Sequence, residues 1–138
     1  MLVASDFPFK EIIGVEISPL HHQIAQNNIA KYRSKSQRCA AISSICTNVL
    51  DYQFPSNDII VYLYQPFGGS VLRQVLTNIE RSAGHRHSVF LCYSAPYLHL
   101  EMMEQQSYLQ LLKTFPSYFS DDEWNLYGND LASRLYHR

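Results

Sequence analysis

Ile12-Ile13-Gly14-Val15-Glu16-Ile17-Ser18-Pro19 decides how this chain is read. Apolar residues run into an acid, then a small polar residue, then a proline. That order predicts a buried strand over Lys10 to Ile17. A helix should follow, with Ser18 as its N-cap and Pro19 in its first position. In nucleoside-binding α/β sheets, an acid at the tip of the second strand accepts hydrogen bonds from the ribose hydroxyls. Its partner is a glycine-rich turn about 20 residues earlier, after the first strand. Fifteen residues precede Glu16, and they make no strand followed by such a turn. The chain is therefore expected to enter the sheet in its middle.

Outward from this stretch, the pattern alternates. Met1 to Phe9 reads as a last helical turn running into a loop. The helix opened by Pro19 is expected to reach about Lys35, with Leu20, Ile24, Ile29 and Tyr32 as an imperfect apolar stripe. Its basic end, Lys31, Arg33 and Lys35, complements the helix dipole. Arg38 to Cys46 is expected as a strand, and Asn48 to Pro55 as a loop anchored by Phe54. Asp58 to Tyr64 is nearly continuous in apolar residues, the pattern of a strand buried on both faces of a parallel sheet. Gln65-Pro66-Phe67-Gly68-Gly69 breaks it. Ser70 to Arg81 then carries Val71, Leu72, Val75, Leu76 and Ile79 on one helical face, and Gly84 ends that helix. Ser88 to Ser94 reads as a strand, Leu98 to Gln106 as a helix. Tyr108 to Tyr118 and Trp124 to Tyr127 read as a closing pair of strands around Asp121-Asp122-Glu123. This alternation predicts one α/β domain with a mostly parallel sheet. Ligands in such sheets sit beyond the carboxyl ends of the strands. The loops after Ile17, Cys46 and Tyr64 all leave such ends.

The 138 residues amount to one domain's worth, and 46% hydrophobic against 17% charged residues suit a folded core. A formal net charge of -1 offers no bulk attraction to nucleic acid or anionic membrane. No apolar run approaches the roughly 18 residues that span a bilayer, and no signal peptide is evident. Cys39, Cys46 and Cys92 are an odd, scattered set without a Cys-x-x-Cys pair, so a disulfide framework and a zinc site are not expected. Each is expected to be a small buried thiol on a strand, in a cytoplasmic protein. His85-Arg86-His87 and the adjacent His21-His22 lack completing ligands, so no metal is assigned there.

The pattern resembles the class I S-adenosylmethionine-dependent methyltransferases from Phe7 to about Tyr127. The resemblance rests on Pro8-Phe9-Lys10-Glu11-Ile12-Ile13-Gly14-Val15-Glu16-Ile17-Ser18, on Ile45-Cys46-Thr47-Asn48-Val49, and on Tyr62-Leu63-Tyr64-Gln65-Pro66-Phe67-Gly68. It implies a Rossmann-like, mostly parallel sheet that closes in an antiparallel hairpin. It implies S-adenosylmethionine as cofactor, with Glu16 on the ribose beside Ile17, and Asn48 on the adenine beside Val49. Gln65, Pro66 and Phe67 would face the transferred methyl group and its acceptor. The chemistry suits these roles. A carboxylate can accept from both hydroxyls of a vicinal diol, and Asn48 keeps an acceptor oxygen for an adenine amino group. Methyl transfer is an in-line displacement, so alignment can supply much of the catalysis. The family's first strand and Gly-rich loop are absent. That strand lies centrally in the family's sheet, so its loss should leave unpaired backbone on both sides, open to self-association. Gln65-Pro66-Phe67-Gly68 only loosely matches the Asn/Asp-Pro-Pro-aromatic motif of amino-directed methyltransferases, and the methyl acceptor is not assigned.

Plainer roles stand beside these. Glu16 alone would be a strand-end carboxylate, and Asn48 a turn former. Gln65 to Phe67 could be a strand-to-helix turn, and Gly68-Gly69 more a tight turn than a phosphate cradle. The ten Tyr and seven Phe could include a base-stacking platform, though core packing explains them better. Two alternatives to a methyltransferase remain: a non-catalytic remnant that binds partners by strand addition, and, less favoured, an NAD-type domain.

Overall fold

The computed structural model describes residues 1–94, 97–116 and 123–138, with the backbone alone at 97, 98 and 100. It divides into two compact units, Met1–Tyr52 and Gln53–Arg138.

The first unit holds a 3₁₀ turn (Val3–Asp6), strand β1 (Ile12–Glu16), helix α1 (Pro19–Lys31) and strand β2 (Ile42–Cys46). β1 and β2 pair in parallel, Ile12 opposite Ile42 through Glu16 opposite Cys46. Ser18 caps α1 as its sequence predicts, its hydroxyl accepting from the His21 N–H at 3.3 Å, with Pro19 at the helix start. His22 Nδ1 lies 2.9 Å from Ser44 Oγ, a polar link between α1 and β2. α1 ends at Lys31, short of Lys35. Tyr32 leaves the helical region at ψ 130°, and Arg33 Nη1 donates to the carbonyls of Ala30 and Tyr32. The imperfect stripe has a physical counterpart: no residue of α1 is fully buried.

The strand expected from Arg38 begins only at Ile42. The N–H groups of Arg38 and Cys39 both donate to Ser5 O, so this stretch is tied to the 3₁₀ turn and cannot join the ladder. Cys39 is buried but lies outside any strand, Cys46 is exposed and Cys92 half-buried. The expectation of three buried strand thiols is therefore corrected. Cys46 closes a strand whose last two residues are exposed.

The second unit holds β3 (Ile59–Tyr64), α2 (Gly69–Ala83), β4 (Val89–Ser94), α3 (Tyr97–Gln105), β5 (Gln110–Pro116), β6 (Glu123–Gly128) and α4 (Asp130–Tyr136). Its sheet runs β3-β4-β6-β5. β3 and β4 are parallel; β6 is antiparallel to β4 and to β5, the closing hairpin that was expected. Asp121 and Asp122, placed in the hairpin turn, lie outside the described residues, and Glu123 opens β6. Of the predicted stripe of α2, Leu72, Val75, Leu76 and Ile79 are buried and Val71 is half-buried, and Val89, Leu91 and Tyr93 of β4 are buried in the same unit. Gly84 caps α2 at φ +55°, a backbone that L side chains rarely adopt.

β3 is not buried on both faces. Ile60, Tyr62 and Tyr64 are exposed while Leu63 is buried. Strand side chains alternate between faces, and only one face of this sheet is packed at β3. Tyr62 and Tyr64 stack on Trp124 instead, at 5.0 and 5.7 Å between ring centres. These aromatics are therefore a surface cluster, not core. α4 was not expected. Asn129, 3% exposed, caps it through Oδ1 and also receives the Val89 N–H, while its Nδ2 donates to His87 O and Tyr108 Oη.

Candidate functional site

Glu16 stands at the carboxyl end of β1, half-buried. Its Oε1 accepts from the Ser18 N–H at 2.8 Å, and the Thr47 N–H donates to its carbonyl at 3.0 Å. The local sequence explains both bonds. Ile17 carries the chain out of the strand, and the N-cap residue turns its N–H back toward the acid. One carboxylate oxygen is thus fixed, and the other has no partner among the described residues. This arrangement performs the plain task of anchoring the start of α1. It also leaves an oriented acceptor that fits a vicinal diol. Ile17 beside it is 67% exposed.

Asn48 follows β2 at the same end of the parallel pair. Its Oδ1 accepts from the Leu50 N–H at 3.0 Å, and its carbonyl accepts from the Asp51 N–H at 3.0 Å. It is an exposed turn former, as the plainer reading has it. Its amide N–H₂ is unengaged among the described residues, and the carbonyl oxygen keeps a second lone pair. Val49 is half-buried beside it.

Gln65, Pro66 and Phe67 leave the carboxyl end of β3 in the second unit. Gln65 adopts φ +39°, the one described non-glycine residue with positive φ. Such a backbone is costly and concentrates at functional sites. Its N–H points to Ser94 O at 3.4 Å, so the ends of β3 and β4 stay together. Gln65 and Pro66 are exposed and Phe67 half-buried. Gly68 is the N-cap of α2 and, without a side chain, lends the first-turn N–H groups no cap.

Sequence reasoning missed two residues near this loop. Tyr93 on β4 is fully buried, and its hydroxyl lies 2.6 Å from Nδ1 of His99 on α3. Burial, reinforced by Tyr127, pushes the phenol up to about 12. A side chain at Gly69 would meet the other edge of the same imidazole, with Cβ 3.6 Å from Nε2. The available signal was a buried tyrosine, whose hydroxyl needs a partner. A shallow groove elsewhere in the unit includes Arg73, Glu80, Met102 and Tyr108. No residue of the Gln65–Phe67 loop lines it.

Neither a protein-family model nor a curated protein sequence matches the chain. Solved structures do. The structure of ribosomal protein L11 methylase from Lactobacillus delbrueckii subsp. bulgaricus aligns at TM-score 0.63 and 14% identity. The alignment covers 93% of this chain and 62% of that one. M. capricolum TrmK, in complex with S-adenosyl-homocysteine, aligns at TM-score 0.54 and 17% identity, over 87% of this chain and 51% of TrmK. LepI in complex with SAM gives TM-score 0.55 and 13% identity, over 86% of this chain and 36% of LepI. The chain has a class I methyltransferase-like fold. It spans about three fifths of the L11 methylase and about half of TrmK. Rossmann-like α/β architecture stands as the sequence predicts, with β1 and β3 each at the edge of its sheet. No described helix is long and apolar enough to cross a membrane.

Proposed function

We propose that this chain is an S-adenosylmethionine-dependent methyltransferase-like protein. One observation carries the reading: a half-buried carboxylate at the carboxyl end of a parallel strand, oriented by the Ser18 N–H and with its other oxygen unpartnered among the described residues. In this reading Glu16, flanked by Ile17, accepts from the ribose hydroxyls. Asn48 and Val49 contact the adenine, Asn48 accepting from its amino group through the second lone pair of the side-chain carbonyl oxygen and Val49 through its apolar side chain. When bound, the cofactor supplies an activated methyl group. Gln65, Pro66 and Phe67 meet the acceptor, and the strained Gln65 backbone fixes that loop. Alignment, not proton transfer, is the main demand on these residues. The fold similarity supports the assignment of class and leaves the acceptor open, since one fold hosts many chemistries. The test is transfer of a labelled methyl group from S-adenosylmethionine into protein, RNA and small-molecule fractions. Label in one fraction, lost in Phe67→Ala, is expected; no transfer to any fraction, with no cofactor binding, would refute the reading.

A second reading is a binding module that captures a strand. Its support is that β3 is a sheet edge and exposes Ile60, Tyr62 and Tyr64.

A further inference from the structure

The Tyr93–His99 pair has a directionality that fixes the imidazole. Tyr93 is wholly buried, and His99 Nδ1 is the hydrogen-bond partner of its hydroxyl. A buried phenol that withheld its proton from Nδ1 would leave a donor unsatisfied, which is costly. The phenol, pushed up to about 12, keeps that proton throughout the neutral range. It therefore donates to Nδ1, and the neutral ring carries its own proton on Nε2. Nε2–H is then a fixed donor.

Its place is defined by Gly69. Nε2 lies 3.6 Å from where a Gly69 Cβ would stand, beside the first residue of α2 and two residues beyond Phe67. His99 is half-buried. The N-cap of α2, Gly68, offers its neighbouring first-turn N–H groups no side-chain cap. Ser94, next to Tyr93, keeps a fully buried Oγ with no partner among the described residues.

We propose that His99, oriented by Tyr93, is a substrate-binding residue whose Nε2–H holds a carbonyl oxygen, of an amide or a carboxylate, on the methyl-accepting molecule. That the bound molecule is a methyl acceptor rests on the methyltransferase reading; the donor site itself does not. A methyl at position 69 would stand 3.6 Å from Nε2 and 3.8 Å from Met102 Sδ, crowding the donor at van der Waals distance without striking backbone.

The test uses the full chain and nuclear magnetic resonance of the His99 ring. Long-range nitrogen–proton correlations should show the Nε2–H tautomer, and Tyr93→Phe should mix the tautomers. Acetamide and acetate, titrated separately, should shift the His99 ring and the Gly69 amide. The stronger of the two tells amide from carboxylate. Gly69→Ala should weaken that response roughly fivefold, about the worth of one hydrogen bond, while the Tyr93–His99 signature stays in place. An Nδ1–H tautomer, an absence of response to both probes, or an equal response in Gly69→Ala would each overturn the proposal. S-adenosylmethionine binding measured on the same samples separates the two readings. Its absence counts against the methyltransferase, and the ring signals still decide for or against His99.

Discussion

Oε1 of Glu16 accepts the backbone N–H of Ser18 at 2.8 Å. Two residues that flank the exposed Ile17 thereby lock the end of a strand to the start of a helix. A carboxylate held in this way has already lost much of its rotamer freedom, so a ligand that used its free oxygen would order little more.

The two long helices should respond differently to truncation. Leu72 in α2 is fully buried, whereas Leu20 in α1 is 68% exposed. Leu72→Ala should cost about 2–5 kcal/mol. Leu20→Ala should stay within about 0.5 kcal/mol of the parent. Denaturant unfolding followed by circular dichroism reads both, and equal costs would contradict the burial pattern.

Asn129 joins four groups: it receives the N–H of Val89 and Ala132 and donates to His87 O and Tyr108 Oη. Asn129→Ala removes a cap and strands a buried N–H, a loss of roughly 2–4 kcal/mol. Asn129→Asp keeps the acceptor and should lose less. Their unfolding midpoints should fall in that order; the reverse order would show that the donor side matters more.

Several of these features were legible in the sequence, and the reasons differ by element. Ser18-Pro19 announced a helix start because capping is local chemistry. The α2 stripe at Leu72, Val75, Leu76 and Ile79 was legible because one face is buried. α1 gave a weak stripe because it buries no residue fully. The stretch from Arg38 looked like a strand, and only the distant Ser5 carbonyl takes its N–H groups elsewhere. Asp58 to Tyr64 was read as doubly buried because its composition does not say which face is packed. Among the site residues, Glu16 was legible from its position after an apolar run. The pairing of Tyr93 with His99 depends on where α3 returns to the sheet, which spacing alone does not reveal.

Alkaline stability should depend on Tyr93. Its phenol titrates near 12 in the folded chain, against an ordinary value of 10.0. The folded state thus holds a proton that the unfolded state releases between those values. The stability this provides is fully present below pH 10 and is lost as pH rises toward about 12. Unfolding midpoints measured across that window should fall for the parent and fall less for Tyr93→Phe. Parallel curves would place the effect at other residues.

The β3 edge should be sticky. It exposes Ile60, Tyr62 and Tyr64 along a strand that pairs on one side with β4. Sedimentation velocity should show association that rises with concentration. Ile60→Lys should reduce it, because an edge lysine resists strand addition. A parent that sediments as a monomer at every concentration would remove the support for strand capture.

The most direct test of the central claim is calorimetric titration of the chain with S-adenosylmethionine, beside Glu16→Gln. Glutamine keeps an acceptor for the Ser18 N–H and removes only the charge. The account predicts measurable binding by the parent and an affinity lower by roughly 10-fold or more in the variant, the worth of a charge-assisted hydrogen bond. Equal affinities for parent and variant, or no binding by the parent, would mean that Glu16 only anchors α1.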